Sequence, residues 1–200
     1  MNRQPARVAD VLSLLLNPTA ITGGFFLVLA RRFEPGGPHR WLVGGTAVVF
    51  ATLLPLGVLF VLRATGRLSD IEMRIRSERT GVYLWCSASY LAGLALLLAI
   101  NAAWPLTALM ALLLPGALAL TLLNLRWKVS IHATTLAGLA VLALVLFGYG
   151  ASPFALLVPL AWWARWAAGA HTSGELLAGT VLGAASAAVG IEAARALTGQ

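Results

Sequence analysis

The stretch LAGLALLLAINAAWPLTALMALLLPGALAL, residues 91–120, carries no charged side chain and is interrupted once, at Asn101-Ala102-Ala103-Trp104-Pro105. Hydrocarbon is the solvent such a surface fits. Because lipid offers the backbone no hydrogen-bond partners, a chain that crosses it has to pair its amides internally, as a helix. A span takes roughly 20 apolar residues, and the segments on either side of the break, 82–102 and 104–125, each have that length. The uncharged, proline-bearing break reads as a tight hairpin turn. Two crossings in succession return the chain to the face it left.

Working outward, similar apolar segments occupy about 8–30, 41–62, 131–149, 153–168 and 174–197, which makes seven helices in all. Asn17-Pro18 interrupts the first. That helix either kinks there or begins as an interfacial piece, leaving six full crossings. The sixth segment is short and holds Trp162, Trp163 and Trp166, as expected of a tilted or partly interfacial helix end. The 200-residue chain is 60% hydrophobic and 10% charged, with mean hydropathy +0.86, which excludes an ordinary soluble domain. The expected fold is an all-α integral membrane bundle of six or seven transmembrane helices. No internal repeat or linker divides residues 1–200, so a single domain is expected. The Arg-bearing start reads as a retained first helix, since its apolar run reaches about Ala30 without a small-x-small cleavage site.

The net charge of +7 is not carried by a disordered basic tail, so nucleic acid is not an expected partner. The arginines gather at predicted span ends, where they meet lipid headgroups, set topology or hold a phosphate. The single cysteine, Cys86, lies in an apolar run and reads as core packing. There is no HExxH and no paired CxxC, so the sequence offers no metal site, and no cofactor is expected. Gly148-x-Gly150 lacks the strand, helix and third glycine of a nucleotide fingerprint.

Polar chemistry is confined to three segments. RATGRLSDIEMRIRSER, residues 63–79, holds eight of the 21 charged residues; LRWKVSIH, 125–132, and ARWAAGAHTSGE, 164–175, hold most of the remaining polar chemistry, including two of the three histidines. Two hairpins, 82–125 and 131–168, separate them, so span counting puts all three on one membrane face. Gathered there are Arg74, Arg76 and Arg79, then Lys128, Ser130 and His132, then Arg165, His171 and Glu175. Arginine presents forked donors to phosphate oxygens and lysine adds a point charge. Two histidines in such a pocket divide a displacement between nucleophile and acid, and a carboxylate on the attacking ring fixes its tautomer.

Arg165-x5-His171-x3-Glu175 resembles the third signature of the type-2 phosphatidic acid phosphatase superfamily, Ser-Arg-x5-His-x3-Asp. Val129-Ser130-Ile131-His132 resembles its second, Pro-Ser-Gly-His, and IEMRIRSERTG echoes its first, Lys-x6-Arg-Pro, with Arg79 as the arginine. The likeness covers about residues 63–183. It implies that His171 forms a phosphohistidine oriented by Glu175, that His132 is the general acid, and that Arg165, Ser130 and Arg79 hold phosphate oxygens, without a metal. Glu72 stands at the lysine position, so Arg74 or Arg76 would supply that charge; Lys128 joins the phosphate binders by its nearness to Ser130. Three departures stand out: Ile131 for glycine, Ala164 for serine and Glu175 for aspartate.

Structural readings stand beside these. Thr172-x-x-Glu175 is a capping box, and Arg165 can snorkel to the interface. Taken alone, 63–79 is a solvated interfacial segment and His39 a plain loop residue. Gly179-x3-Gly183 seats the last helix against its neighbours. The function expected is a membrane phosphatase acting on a lipid phosphate or polyprenyl (di)phosphate, among membrane lipids. The alternatives are a phosphotransferase on the same fold, or a non-catalytic anionic-lipid binder or small transporter. By span parity the site face carries ten of the 14 Lys and Arg, which favours a cytoplasmic site; setting aside the five proposed phosphate-binding cations leaves five against four.

Overall fold

A computed structural model describes residues 4–70, 73 and 75–200. The described chain is built from helices α1 (Gln4–Leu15), α2 (Pro18–Phe33), α3 (Pro38–Val48), α4 (Leu54–Ala64), α5 (Arg79–Ala99), α6 (Trp104–Asn124), α7 (Ile131–Phe147), α8 (Ser152–Ala155), α9 (Leu157–Ala167) and α10 (Ser173–Thr198). No strand occurs among the described residues. Six helical runs are long and apolar enough to cross a bilayer: Val11–Phe33, Pro38–Ala64, Arg76–Ala99, Trp104–Asn124, Ile131–Ala167 and Ser173–Thr198. The protein is an all-α, multi-pass membrane bundle.

The irregularities follow from local chemistry. Asn17 divides α1 from α2: its side-chain oxygen accepts from the Thr19 and Ala20 amides, and Pro18, which has no amide to leave unpaired, opens the new helix. Between α3 and α4 the helix widens to a π turn over Val49–Leu53, just before Pro55 withdraws an amide from the ladder. Neighbouring helices tie down this stretch. Ser89 of α5 donates to the Phe50 carbonyl at 2.6 Å, and Thr52 donates to the Thr19 carbonyl at 3.2 Å. The run Ile131–Ala167 does not continue straight. Gly148 adopts φ +65°, favoured by the absence of a Cβ, and a 3-10 turn over Gly148–Ala151 reverses the chain. The chain therefore comes back: Lys128 Nζ, just before α7, donates to the Ala170 carbonyl, just after α9, at 2.9 Å. The two uncharged turns expected at 101–105 and 148–153 are both present.

Helix α6 is the most enclosed span, and α10 packs along both α6 and α7. Small residues set that packing. A Cβ on Gly179 would stand 2.6 Å from the Ser130 carbonyl; one on Gly183 would collide with the Thr134 carbonyl, and one on Gly190 with the Leu112 backbone. In lipid, apolar surface gains little by leaving one hydrocarbon for another, so close backbone approach and dispersion contact carry helix association. The reading of Gly179 and Gly183 as a seat for the last helix holds, and Gly190 extends it onto α6.

On the face opposite the 125–132 segment, the turns are stapled. Glu34, at the end of α2, is buried; it accepts from the Ala103 amide at 2.6 Å and lies 3.3 Å from His39 Nε2. His39, read from sequence as plain loop, is thus half of a contact that ties the α2–α3 turn to the start of α6.

Replacing Gly183 with Ala is expected to destabilise the protein by about 1–3 kcal/mol, because α10 has to move off α7. Gly24→Ala, where a Cβ meets nothing within 4 Å, is the control and should be near neutral. Thermal unfolding in detergent measures both.

Candidate functional site

The 165–175 segment is organised by two helix ends. Helix α9 closes with a Schellman motif: Gly169, at φ +64°, donates to the Trp166 carbonyl at 2.9 Å, and Ala170 donates to the Arg165 carbonyl at 3.0 Å. Helix α10 then opens with a capping box, in which Thr172 Oγ1 accepts from the Glu175 amide at 3.3 Å and Glu175 Oε2 accepts from the Thr172 amide at 3.1 Å. His171 stands between the two motifs. Its amide also donates to the Arg165 carbonyl, at 3.3 Å. The intervals Arg165-x5-His171-x3-Glu175 are therefore the lengths of one helix C-cap and one N-cap placed end to end.

Capping and orientation turn out to be one interaction. The same Glu175 Oε2 that closes the capping box lies 2.9 Å from His171 Nδ1. A carboxylate only accepts, so Nδ1 carries the proton and Nε2 keeps its lone pair. Glutamate, one methylene longer than aspartate, makes both contacts from the third position of the helix.

The cations converge on this ring. Arg79 and Arg165 are each 3% exposed and His171 is 7% exposed. Burial, and then the charges of Arg79, Lys128 and Arg165, push the His171 imidazole down to about 3. The ring is neutral at neutral pH, the state a nitrogen nucleophile needs.

Arg79 is held at the site by two backbone carbonyls. Its Nε donates to the Met73 carbonyl at 2.6 Å, where Met73 takes a left-handed φ of +50°, and its Nη1 donates to the Val129 carbonyl at 3.3 Å. Two of five guanidinium N–H groups thus hold the backbone. Ser130, fully buried, caps α7 by accepting from the Ala133 amide at 3.4 Å, and its own amide donates to the Glu175 carbonyl at 3.3 Å. That bond joins the start of α7 to the start of α10. His132 is half-buried, feels the charges of Arg165 and Arg79, and shares a groove with Ser13 of α1. Lys128 is half-buried as well.

The structure accordingly brings Arg79, Lys128, Ser130, His132, Arg165, His171 and Glu175 together at one end of the bundle. Arg76 does not join them: it is exposed on the 3-10 turn, where its carbonyl accepts from Asn124 Nδ2 at 2.9 Å. Arg74 and Glu72 lie outside the described residues. Ile131 is the first residue of α7, in right-handed helical conformation, so the positive φ that glycine would permit is not used there. Ala164 is fully buried against the bundle.

Three contributors escaped the sequence reading. Tyr83 lies one turn beyond Arg79 on α5, and its buried hydroxyl stands beside that guanidinium. The (i, i+4) spacing was a usable signal. Asn124 anchors the arginine-rich segment through Arg76 and also donates to Thr80 Oγ1 at 3.0 Å; an asparagine ending an apolar helix beside charged segments could have been flagged. Ser13 gave no signal, because it lies far before the motif-bearing stretch 63–183 and meets His132 only through the fold.

A histidine held neutral when folded but ordinary when unfolded makes the unfolded state the better proton binder between about pH 3 and 6.5. Stability is expected to fall as pH drops below about 6.5, by up to about 1.4 kcal/mol per unit for this group. His171→Gln should show a shallower acid slope in pH-dependent unfolding; parallel slopes would count against the burial argument. No family model, curated protein or solved structure matches the chain, so the site is read from its own geometry.

Proposed function

We propose that this protein is a membrane phosphatase that hydrolyses a lipid phosphate or polyprenyl (di)phosphate through a phosphohistidine. The observation that carries the reading is the neutral His171 ring, held through Nδ1 by Glu175 and surrounded by Arg79, Arg165 and Lys128. Cations bind an anion; an oriented neutral imidazole among them attacks one.

In this mechanism the His171 Nε2 lone pair forms a bond to phosphorus while the bond from phosphorus to the leaving oxygen breaks, and His132 protonates that oxygen. The ring becomes cationic as the bond forms. Glu175 stabilises that charge through the Nδ1 proton, and the arginines and Ser130 hold the non-bridging oxygens. Water then attacks phosphorus, His132 takes its proton, and the N–P bond breaks to release phosphate and restore the ring. His132 enters the cycle as the imidazolium, gives its proton to the leaving oxygen and regains one from the attacking water, so protons balance over a turnover. Each step uses side chains of this chain alone.

A second reading has its own support. Glu175 closes a capping box whether or not His171 reacts, so a non-catalytic binder of anionic lipid would show the same local bonds. A phosphotransferase would share the first half of the mechanism and deliver phosphate to an alcohol instead of water.

Purified protein is expected to release inorganic phosphate from phosphatidate, phosphatidylglycerol phosphate or a polyprenyl diphosphate. His171→Ala should abolish release at unchanged expression, and Glu175→Gln should lower it by on the order of 10²–10⁴-fold. Arg165→Ala should raise KM more than it lowers kcat. Lipid binding without turnover would establish the binder instead, and product that appears only with an added alcohol would establish the transferase.

A further inference from the structure

Two apolar spaces lie next to the site and share one wall. The outer space is a groove of about 310 Å³ between the α1–α2 elbow at Ser13–Thr19, the start of α4 at Pro55, Leu56 and Leu59, and α5; His132 lies on its lining. The inner space is small, about 40 Å³, enough for one or two methylenes, and lies among α5, α6, α7 and α10, with Leu112, Gly116 and Gly183 among its lining residues. Tyr83, Cys86, Tyr90 and Ile131 line both. The first three fall at i, i+3 and i+7 of α5 and form a single helix face. The fourth comes from α7 and is the residue directly before His132.

This placement gives the isoleucine a task. At a position where a bare backbone could approach an anion, the chain has a branched side chain, and that side chain lies in the partition between two hydrocarbon-lined spaces. We propose that the groove beside His132 holds the hydrocarbon tail of the phosphate-bearing lipid, and that Ile131 limits the length of chain it accepts by closing the way into the inner space. The proposal rests on the phosphate-lipid reading above and adds to it the residue that selects among substrates. The occupant follows from the lining: His132 stands beside the cationic cluster, while Pro55, Leu56 and Leu59 offer only apolar contact. A molecule with phosphate at one end and hydrocarbon at the other matches both. The irregular helices open this groove, since Asn17-Pro18 and Pro55 each line it where its helix departs from ideal geometry.

A micelle is already apolar, so a chain that enters the protein from detergent gains little from leaving water, and selectivity has to reflect the steric limit of the site. The test compares wild type, Ile131→Val and Ile131→Ala on alkyl phosphates of graded chain length in one detergent, reading phosphate release and thermal midpoint. Ile131→Ala is expected to raise the ratio of kcat/KM for long chains over short ones about tenfold, the scale set by one or two methylenes in an apolar pocket. Ile131→Val should stay near the wild-type profile. Parallel profiles in wild type and Ile131→Ala, with both folded by thermal midpoint, would overturn the proposal.

If wild type releases no phosphate from any chain, the phosphatase reading fails while the tail site is still decided, by the midpoint shift that non-hydrolysable alkylphosphonates of the same lengths produce. A chain-length optimum that moves to longer chains in Ile131→Ala supports the site, and an unmoved or absent optimum overturns it.

Discussion

The close approach of α10 to α7 is the constraint on which the site depends. Gly179 and Gly183 let the backbone of α10 settle against Ser130 and Thr134, and the Ser130 amide reaches the Glu175 carbonyl only because the helices are that near. Helix α7 carries Ser130 and His132 at its start, and α10 carries Glu175 in its first turn. A pair of helices held apart by ordinary side chains would separate the two histidines and leave the cations of the preceding segments facing no partner chemistry. In hydrocarbon, where burial itself drives little, small residues are the available means of bringing two backbones together.

The electrostatics follow from that geometry. Buried cations repel one another, and their presence among helices is costly unless backbone carbonyls, a carboxylate or an anionic ligand compensates. Arg79 is compensated by the Met73 and Val129 carbonyls, and Lys128 by the Ala170 carbonyl. Those bonds join the 65–78 segment, the α6–α7 connection and the turn before α10 into one framework. Burial and the same positive field keep His171 neutral, and that field favours an incoming anion. Glu175 stands where these demands meet, since a single oxygen closes a helix and orients a ring.

Much of the site was readable from spacing, and the reason is local. Arg165, His171 and Glu175 lie within a C-cap and an N-cap, structures defined by a few consecutive residues, so their relative placement is nearly independent of the rest of the fold. Span parity put 63–79, 125–132 and 164–175 on one face as one candidate site, and they meet through the bonds of Arg79 to Val129 and Lys128 to Ala170. Arg76 shows where such counting stops: parity places a residue on a face, not inside a pocket, and this arginine lies on the outer side of its turn. His39 shows the same limit on the opposite face, where a loop residue joins a buried carboxylate from another turn.

The sequence by itself determined that the chain is a helical membrane bundle, because charge-free runs of span length allow no other backbone pairing in lipid, and it determined the spacing inside each cap. Only the tertiary structure decided which cations turn inward, that one carboxylate oxygen serves both a helix end and an imidazole, that Ser13 reaches His132, and that Ile131 faces hydrocarbon. Those outcomes depend on interhelical distances of a few ångströms. Such distances are set where glycines let backbones touch and where prolines part them, between residues far apart in the chain.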